Sequence, residues 1–482
     1  ALGRNALGTI TTPSENTALG NMAMQASTTG YDCVAVGSNA LYTQTTGHNN
    51  TAVGKNALYA NTTGQKNTAV GGYALDANTT GHNNVAFGYY ALGAATTADK
   101  NTALGYYAAA DITSGVRNTA VGSEALRQKT TSTDNTAIGF QALFQSSEGN
   151  HNTCVGASAG YNISTGEYNT VVGSAALDAN TVGVRNTALG YAAMTDNTTG
   201  GYNTAVGMSA LENNTTASYN TAVGTNCMVG NTTGTNNVAM GYATLDANTT
   251  GSSNVAIGQA ALGSNTTADN NTAVGKDALI TNTTGSENTA VGKEALATNN
   301  GSNNTAVGVT AMYLNTTGTN NAAFGQSCMK KNTTGSGNTA VGRVAFFENT
   351  TGSNNTAVGY AALQLNVTGQ QCVAVGQGAL QNSLGDSNTA VGYSAGYNVT
   401  TGTDNVCLGR AAGFNITTHS ENVFIGKNAG YSCTSSQNTM VGGEGCGDSV
   451  GSASECCFMG SFAGTAVTTG SGNTLIGPSS GS

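Results

Sequence analysis

Tryptophan is absent from this chain of 482 residues, and proline occurs only twice, as Pro13 and Pro478. With almost no proline there is no stiff proline-rich linker and no run of breakers at which to divide the chain into domains. Charged residues amount to 8% and the formal net charge is −9. That balance gives no electrostatic footprint for a phosphate backbone, so nucleic acid is not an expected partner. No apolar run approaches the roughly 18 residues of a membrane-spanning helix, so no membrane insertion is expected. No signal peptide is recognisable. The chain starts at Ala1-Leu2-Gly3 and stops at Ser482, each time part-way through a repeat, and therefore reads as a slice of a longer protein.

Catalytic chemistry is also missing. The four histidines, His48, His82, His151 and His419, are scattered, and no Ser/His/Asp or Cys/His set can be assigned around them. Carboxylates are not paired at a shared position. The glycines follow no phosphate-loop pattern, and the calcium-binding repeat G-G-x-G-x-D is absent. The expectation is a protein without enzymatic activity, cofactor or metal.

What is present is a repeat. Its clearest copy runs from Asn50 to Lys66, N-T-A-V-G-K-N-A-L-Y-A-N-T-T-G-Q-K, and Asn67 starts it again. Positions are numbered here from the glycine that ends N-T-A-V-G. There are 29 such glycines, from Gly3 to Gly477, and of the 28 intervals only four depart from 17 residues: three of 16 and one of 18. All four are expected to change length between +4 and the next −4, in a loop. A period of this length over a whole chain signals a solenoid. Seventeen residues are too few for two helices and suit one coil of a parallel β-solenoid with two short strands, −4 to −1 and +1 to +4, and two turns. At about 4.8 Å per coil, 28 intervals predict an all-β rod of roughly 130 Å. Residues 1–391 are the regular repeats. In 392–482 the coil changes to A-G-Y/F, as at Ala395-Gly396-Tyr397, and cysteine is commoner, so this section reads as a variant continuation.

Glycine at 0 and +10 marks corners that need positive φ or close backbone approach. Alternation along a strand sends −2 and −1 to opposite faces, and likewise +3 and +4. Position −1 is apolar in all 29 repeats and +3 is alanine in 24 of 29. Where +4 shrinks to glycine, as at Gly160, Gly413, Gly430 and Gly464, a nearby −2 grows, as at Cys154, Cys407, Phe424, Met440 and Phe458. Compensating volumes place −2 and +4 in one core and leave −1 and +3 outside. An outer aliphatic row is too sticky to stay wet, so a homo-oligomer is expected, most simply a three-fold parallel bundle. The alternative is a thicker coil that takes both sets inside.

Asparagine recurs at −4 and +7, which reads as stacked amide ladders. The competing reading is N-glycosylation of the N-T-T sequons at Asn61, Asn78, Asn197, Asn214, Asn231, Asn248, Asn265, Asn282, Asn315, Asn332 and Asn349. Further sequons start at Asn162, Asn366, Asn398 and Asn415. Six cysteines (Cys33, Cys154, Cys227, Cys328, Cys372 and Cys407) are isolated and read as small buried thiols. Cys433, Cys446, Cys456 and Cys457 cluster and are candidates for one or two disulfides.

N-V-A-I-G at 254–258, and N-T-A-V-G followed by G-x-x-A-L, resemble the β-roll head repeats of trimeric autotransporter adhesins. They are similar also to the N-T-A-x-G-x-x-A-L…N-T-T-G repeats of bacterial surface adhesins and phage tail-fibre-like proteins. The resemblance covers essentially the whole chain. It implies an extracellular parallel β-roll, usually trimeric, used for attachment to a surface, cell or glycan receptor. The autotransporter repeat is shorter, and the extra residues here sit in the N-T-T-G turn. Function is therefore expected to be that of a structural, adhesive fibre. A glycan-coated filament, or an ice-binding solenoid using threonines at +8/+9 and −3, are the alternatives.

Overall fold

The computed structural model describes residues 1–11, 15–145 and 148–481. Every named element is a β-strand, and there is no helix among the described residues. The chain forms two compact units, Ala1–Tyr242 and Ala243–Ser482. The N-terminal unit holds β1 (Thr17–Leu19) to β14 (Val238–Met240), and the C-terminal unit holds β15 (Val255–Ile257) to β28 (Thr474–Ile476). Within each unit consecutive strands pair in parallel, phase on phase: Ala52 faces Ala69, which faces Ala86, and Ala273 faces Ala290. Each unit is a β-solenoid, one coil per repeat. The change to A-G-Y/F coils at 392 lies inside the C-terminal unit.

Each coil contains one strand of three residues, −3 to −1, and not the two expected. Thr-Ala-Val suits a half-buried strand because the β-branched residues face outward and the small one inward. The burial pattern reads half-exposed, buried, half-exposed. The anchor glycine ends it. Gly71 has φ +134°, and a Cβ there would lie 2.4 Å from the carbonyl oxygen of Gly88 in the next coil. At +10 the reason for glycine differs. No left-handed φ is involved, but a Cβ on Gly64 would lie 2.5 Å from the Gly81 oxygen.

The segment +1 to +4 is not a strand. Its backbone enters the left-handed region at +2 and again at +4, as at Asn56 (φ 58°) and Leu58 (φ 51°), and the coil does so once more at −5, as at Lys66 (φ 55°). These turns are held between coils: Asn56 N–H donates to Ser38 O at 3.0 Å and Leu58 N–H to Ala74 O at 3.0 Å. The face assignment of +3 is therefore corrected. Strict alternation holds only for extended backbone, and two left-handed residues around +3 turn it inward together with +4. Ala57 and Leu58, like Ala74 and Leu75, are wholly buried beside Ala52 and Ala69 of the −2 column. The interior is thus built from −2, +3 and +4, and only −1 and −3 remain on the outward strand face.

Length changes follow the expected loop in three coils. In the first 16-residue coil Gly301 stands nine residues after its anchor, yet it takes the place of a +10 glycine against Gly285; Gly385 does the same against Gly369. In the 18-residue coil the expectation fails. Gly430 N–H donates to Cys446 O and Gly447 N–H to Ala463 O, both at 2.9 Å. These are the bonds that join +4 to +3 elsewhere, so Cys446 takes the +3 role, Gly447 the +4 role, and Gly445 is the inserted residue.

Candidate functional site: the outward strand face and the polar ladders

Two asparagine ladders line the turn side of each coil. At −4, Asn67 N–H donates to Asn50 Oδ1 (2.9 Å), Asn84 N–H donates to Asn67 Oδ1 (2.9 Å), and Asn67 Nδ2 donates to Gly81 O (2.8 Å). At +7, Asn78 Nδ2 donates to Asn61 Oδ1 (2.8 Å) and to Gly81 O (3.2 Å). One glycine carbonyl thus receives both columns, which pairs amide N–H groups that would be costly to bury alone. All eleven N-T-T asparagines, Asn61 to Asn349, belong to the +7 column and are wholly buried. The nitrogen a sugar would take is a ladder donor in Asn61, Asn78, Asn197 and Asn332, so a glycan and a completed ladder exclude one another. Asn366 is buried as well, whereas Asn162, Asn398 and Asn415 lie at +6 and are half-exposed.

A third ladder was not read from the sequence. At −6 a small polar side chain accepts from the backbone N–H one coil earlier: Asp269 N–H to Ser286 Oγ (3.1 Å), Ser336 N–H to Ser353 Oγ (3.0 Å), and Gln65 N–H to His82 Nδ1 (3.0 Å). The recurrence of Ser, Thr, Asp, Asn and His at that phase was the available signal. At +8 the threonine hydroxyls donate to the next coil's carbonyl, as Thr62 Oγ1 to Thr79 O at 3.0 Å. These hydroxyls are engaged within the protein.

The cysteines follow the columns. Cys33 and Cys372 stand in the −4 ladder: Cys372 N–H donates to Asn355 Oδ1 (2.9 Å) and its thiol to Gly385 O (3.3 Å). All six isolated cysteines are buried. Burial pushes the thiols of Cys154, Cys328 and Cys407 up to about 12, out of the reactive range. Of the four disulfide candidates, Cys433 sits at +7, Cys446 in the interior, Cys456 at −4 and Cys457 on the outward face, and all are free thiols. No group of three or more His, Cys, Asp or Glu among the described residues is arranged to hold a metal. Nor is any helix of the described residues long and apolar enough to cross a membrane.

Buried Lys129 breaks the +7 column. Its ammonium donates to Gly149 O (2.8 Å), which also accepts from Asn135 Nδ2 (3.0 Å). Loss of solvation lowers its pKa to about 7. At −5 an outward column stacks planar groups: Arg117 makes a paired contact with Asp134 (2.6 and 2.7 Å), His151 stacks on Tyr168 at 4.8 Å, Arg185 lies between Tyr168 and Tyr202, and Tyr202 stacks on Tyr219 at 5.0 Å. This column spends its polarity on itself.

The remaining surface is the strand face. Its −1 row is half-exposed or more throughout, reaching 46% at Leu189, 54% at Phe87 and 72% at Leu2 at the chain's start. No column of the same coil covers it. A continuous aliphatic row on the open face of a sheet is the kind of surface that another protein covers. No protein-family model matches the chain, and no curated protein sequence matches it significantly.

Proposed function

We propose that the chain is a segment of an extracellular structural fibre that serves attachment, in which copies associate through the outward strand face, most simply as three parallel chains. The observation that carries this reading is the −1 row: apolar in every repeat, half-exposed, and unprotected by the coil that bears it. Low charge, strict repetition and interior columns packed from the chain's own side chains suit a passive scaffold. The partner beyond the chain itself is a cell-surface protein or glycan. Native mass spectrometry tests the assembly; three subunits are expected, and a monomer at every concentration contradicts it.

Two other readings lose ground to specific contacts. A glycan-coated filament needs accessible side-chain nitrogens at +7, where the sequon asparagines are buried and the ladders engage the nitrogens of Asn61, Asn78, Asn197 and Asn332. An intact mass equal to the bare sequence is expected, and any sugar found should map to Asn162 or Asn415, because Asn398 Nδ2 already donates to Asn415 Oδ1 at 2.8 Å. An ice-binding face needs free threonine ranks, but the +8 hydroxyls donate to carbonyls and the −3 threonines share their face with bulky aliphatics. No thermal hysteresis is expected.

A further inference from the structure

The outward face of the N-terminal unit is not uniform along its length. At +1, just past the corner glycine, the aromatic residues are Tyr89, Tyr106, Phe140, Tyr191 and Tyr242. All five are exposed, from 46% at Tyr89 to 62% at Tyr191. Each stands opposite a −1 residue larger than the usual valine: Phe87, Leu104, Ile138, Leu189 and Met240. The coils between them pair Val121 with Ser123, Val155 with Ala157, Val172 with Ser174, Val206 with Met208 and Val223 with Thr225. Every aromatic at +1 of this unit goes with an enlarged −1 residue, and these valines go with a small +1 residue except at Met208.

The spacing is regular. Tyr89, Phe140, Tyr191 and Tyr242 are each 51 residues apart, three coils, or about 14 Å. Tyr106 is the one addition, and its ring stacks on Tyr89 at 5.9 Å. Counted in coils the steps are one, two, three and three. A partner that meets all five anchors must carry relief at the same steps. The chain itself does. The anchor chemistry, an aliphatic beside an aromatic, is that of protein contact centres. The unequal steps also give the pattern a direction. Two copies laid parallel and level bring all five anchors together; a copy reversed, or slipped by three coils, mismatches Tyr106.

We propose that these five anchors fix the axial register between copies of the chain, parallel and level, within the assembly inferred above, on which this rests. The valine row supplies general adhesion between strand faces, and the anchors select one alignment out of many that a uniform row would allow.

The test uses the full chain in sedimentation equilibrium. One variant carries Tyr89→Ser, Tyr106→Ser, Phe140→Ser, Tyr191→Ser and Tyr242→Ser. These side chains are exposed, so the fold is expected to survive, with circular dichroism as the check. Association should weaken at least 100-fold; a change of less than threefold overturns the proposal. A second variant keeps composition but moves two anchors by one coil: Phe140→Ala with Ala157→Phe, and Tyr191→Met with Met208→Tyr. It should associate with itself and join differently tagged wild-type chains at least tenfold less than wild type does. Random mixing overturns the proposal. If wild type does not associate at all, the assembly reading falls as well; if it associates and ignores the anchors, only the register does.

Discussion

Within the C-terminal unit, the coils anchored from Gly258 to Gly376 and those from Gly392 to Gly477 fill the same interior in opposite ways. In the first set +4 is large, as at Leu279, Leu296 and Phe346, and −2 is alanine, as at Ala273, Ala290 and Ala340; all are fully buried. In the second set +4, or its equivalent, is glycine in all six coils, Gly396, Gly413, Gly430, Gly447, Gly464 and Gly481. From Cys407 onward −2 is larger: Cys407, Phe424, Met440, Phe458 and Leu475. The space is the same space. A Cβ on Gly430 would lie 2.4 Å from the Phe424 ring, and one on Gly464 would lie 2.5 Å from the Phe458 ring. Where the two modes meet, −2 is still alanine at Ala390, and the gap over Gly396 is filled by Leu380 and Val399. The coil conserves a cross-section while the column that supplies it is free to change, as close packing requires.

The sharpest way to break this comparison is to put both residues in one coil. Gly430→Leu places a side chain where the Phe424 ring already sits. Phe424→Ala alone empties the site and should cost about 3–5 kcal/mol. The two together rebuild the other mode and should recover most of the loss, a coupling of about 2–3 kcal/mol. Denaturant unfolding, with hydrogen exchange to assign the affected coils, reads both. If the double variant is as unstable as the sum of the singles, the columns do not share a space.

Other columns should refuse to trade. Gly71→Ala meets both a left-handed φ and a neighbouring carbonyl, and should cost about 3 kcal/mol or more. Gly64→Ala should cost less than half of that, although its Cβ would meet Asn61 Oδ1 and Gly81 O just as closely, because no left-handed φ is involved and the Asn61 side chain can turn away. The chain itself carries Ala98, Ala217 and Ala268 at +10, and never anything but glycine at 0. Equal losses at the two positions would refute this distinction. Asn67→Ala removes the acceptor for Asn84 N–H and a donor to Gly81 O, and should cost about 2–3 kcal/mol, visible as faster exchange in the coils on either side.

The smallest effect concerns Lys129, where a ladder column has already been traded badly. Its folded pKa, about 7, lies below that of the unfolded lysine. Below about 7 both states are protonated and the burial penalty is fully present. As pH rises from about 7 towards 10 the unfolded state binds more protons than the folded one, so stability should increase. Lys129→Met leaves Gly149 O its bond from Asn135. It should stabilise the protein by about 1–2 kcal/mol at pH 6, and the gain should shrink at pH 9. A pH-independent gain would mean that the ammonium is solvated.

Much of this was legible in the residues themselves. The glycine period gave the coils, the volume swaps between Gly413 and Cys407 or between Gly430 and Phe424 gave the −2/+4 core, and asparagine at −4 gave a ladder. What was misread has one physical origin. Alternation sends +3 outside only if the stretch is extended, and it is not; leucine at +4, in the left-handed region, gives no warning in the sequence. The same tight turns hid the inserted Gly445. The −6 ladder escaped because several residue types can accept one hydrogen bond, so no single letter repeats. The strand face is legible as apolar, and its three-coil relief depends on the turn that takes +3 inside and leaves +1 beside −1.

The central claim is that the −1 row lies outside its own coil and is covered by other copies. Val206→Cys, in a chain that also carries Cys457→Ser, puts a single outward thiol in that row. Its labelling rate should rise on dilution, from protected in the assembly to freely reactive in the isolated chain. A thiol that stays unreactive at every concentration would place the row inside the coil, and one that reacts equally fast at every concentration would leave nothing covering it.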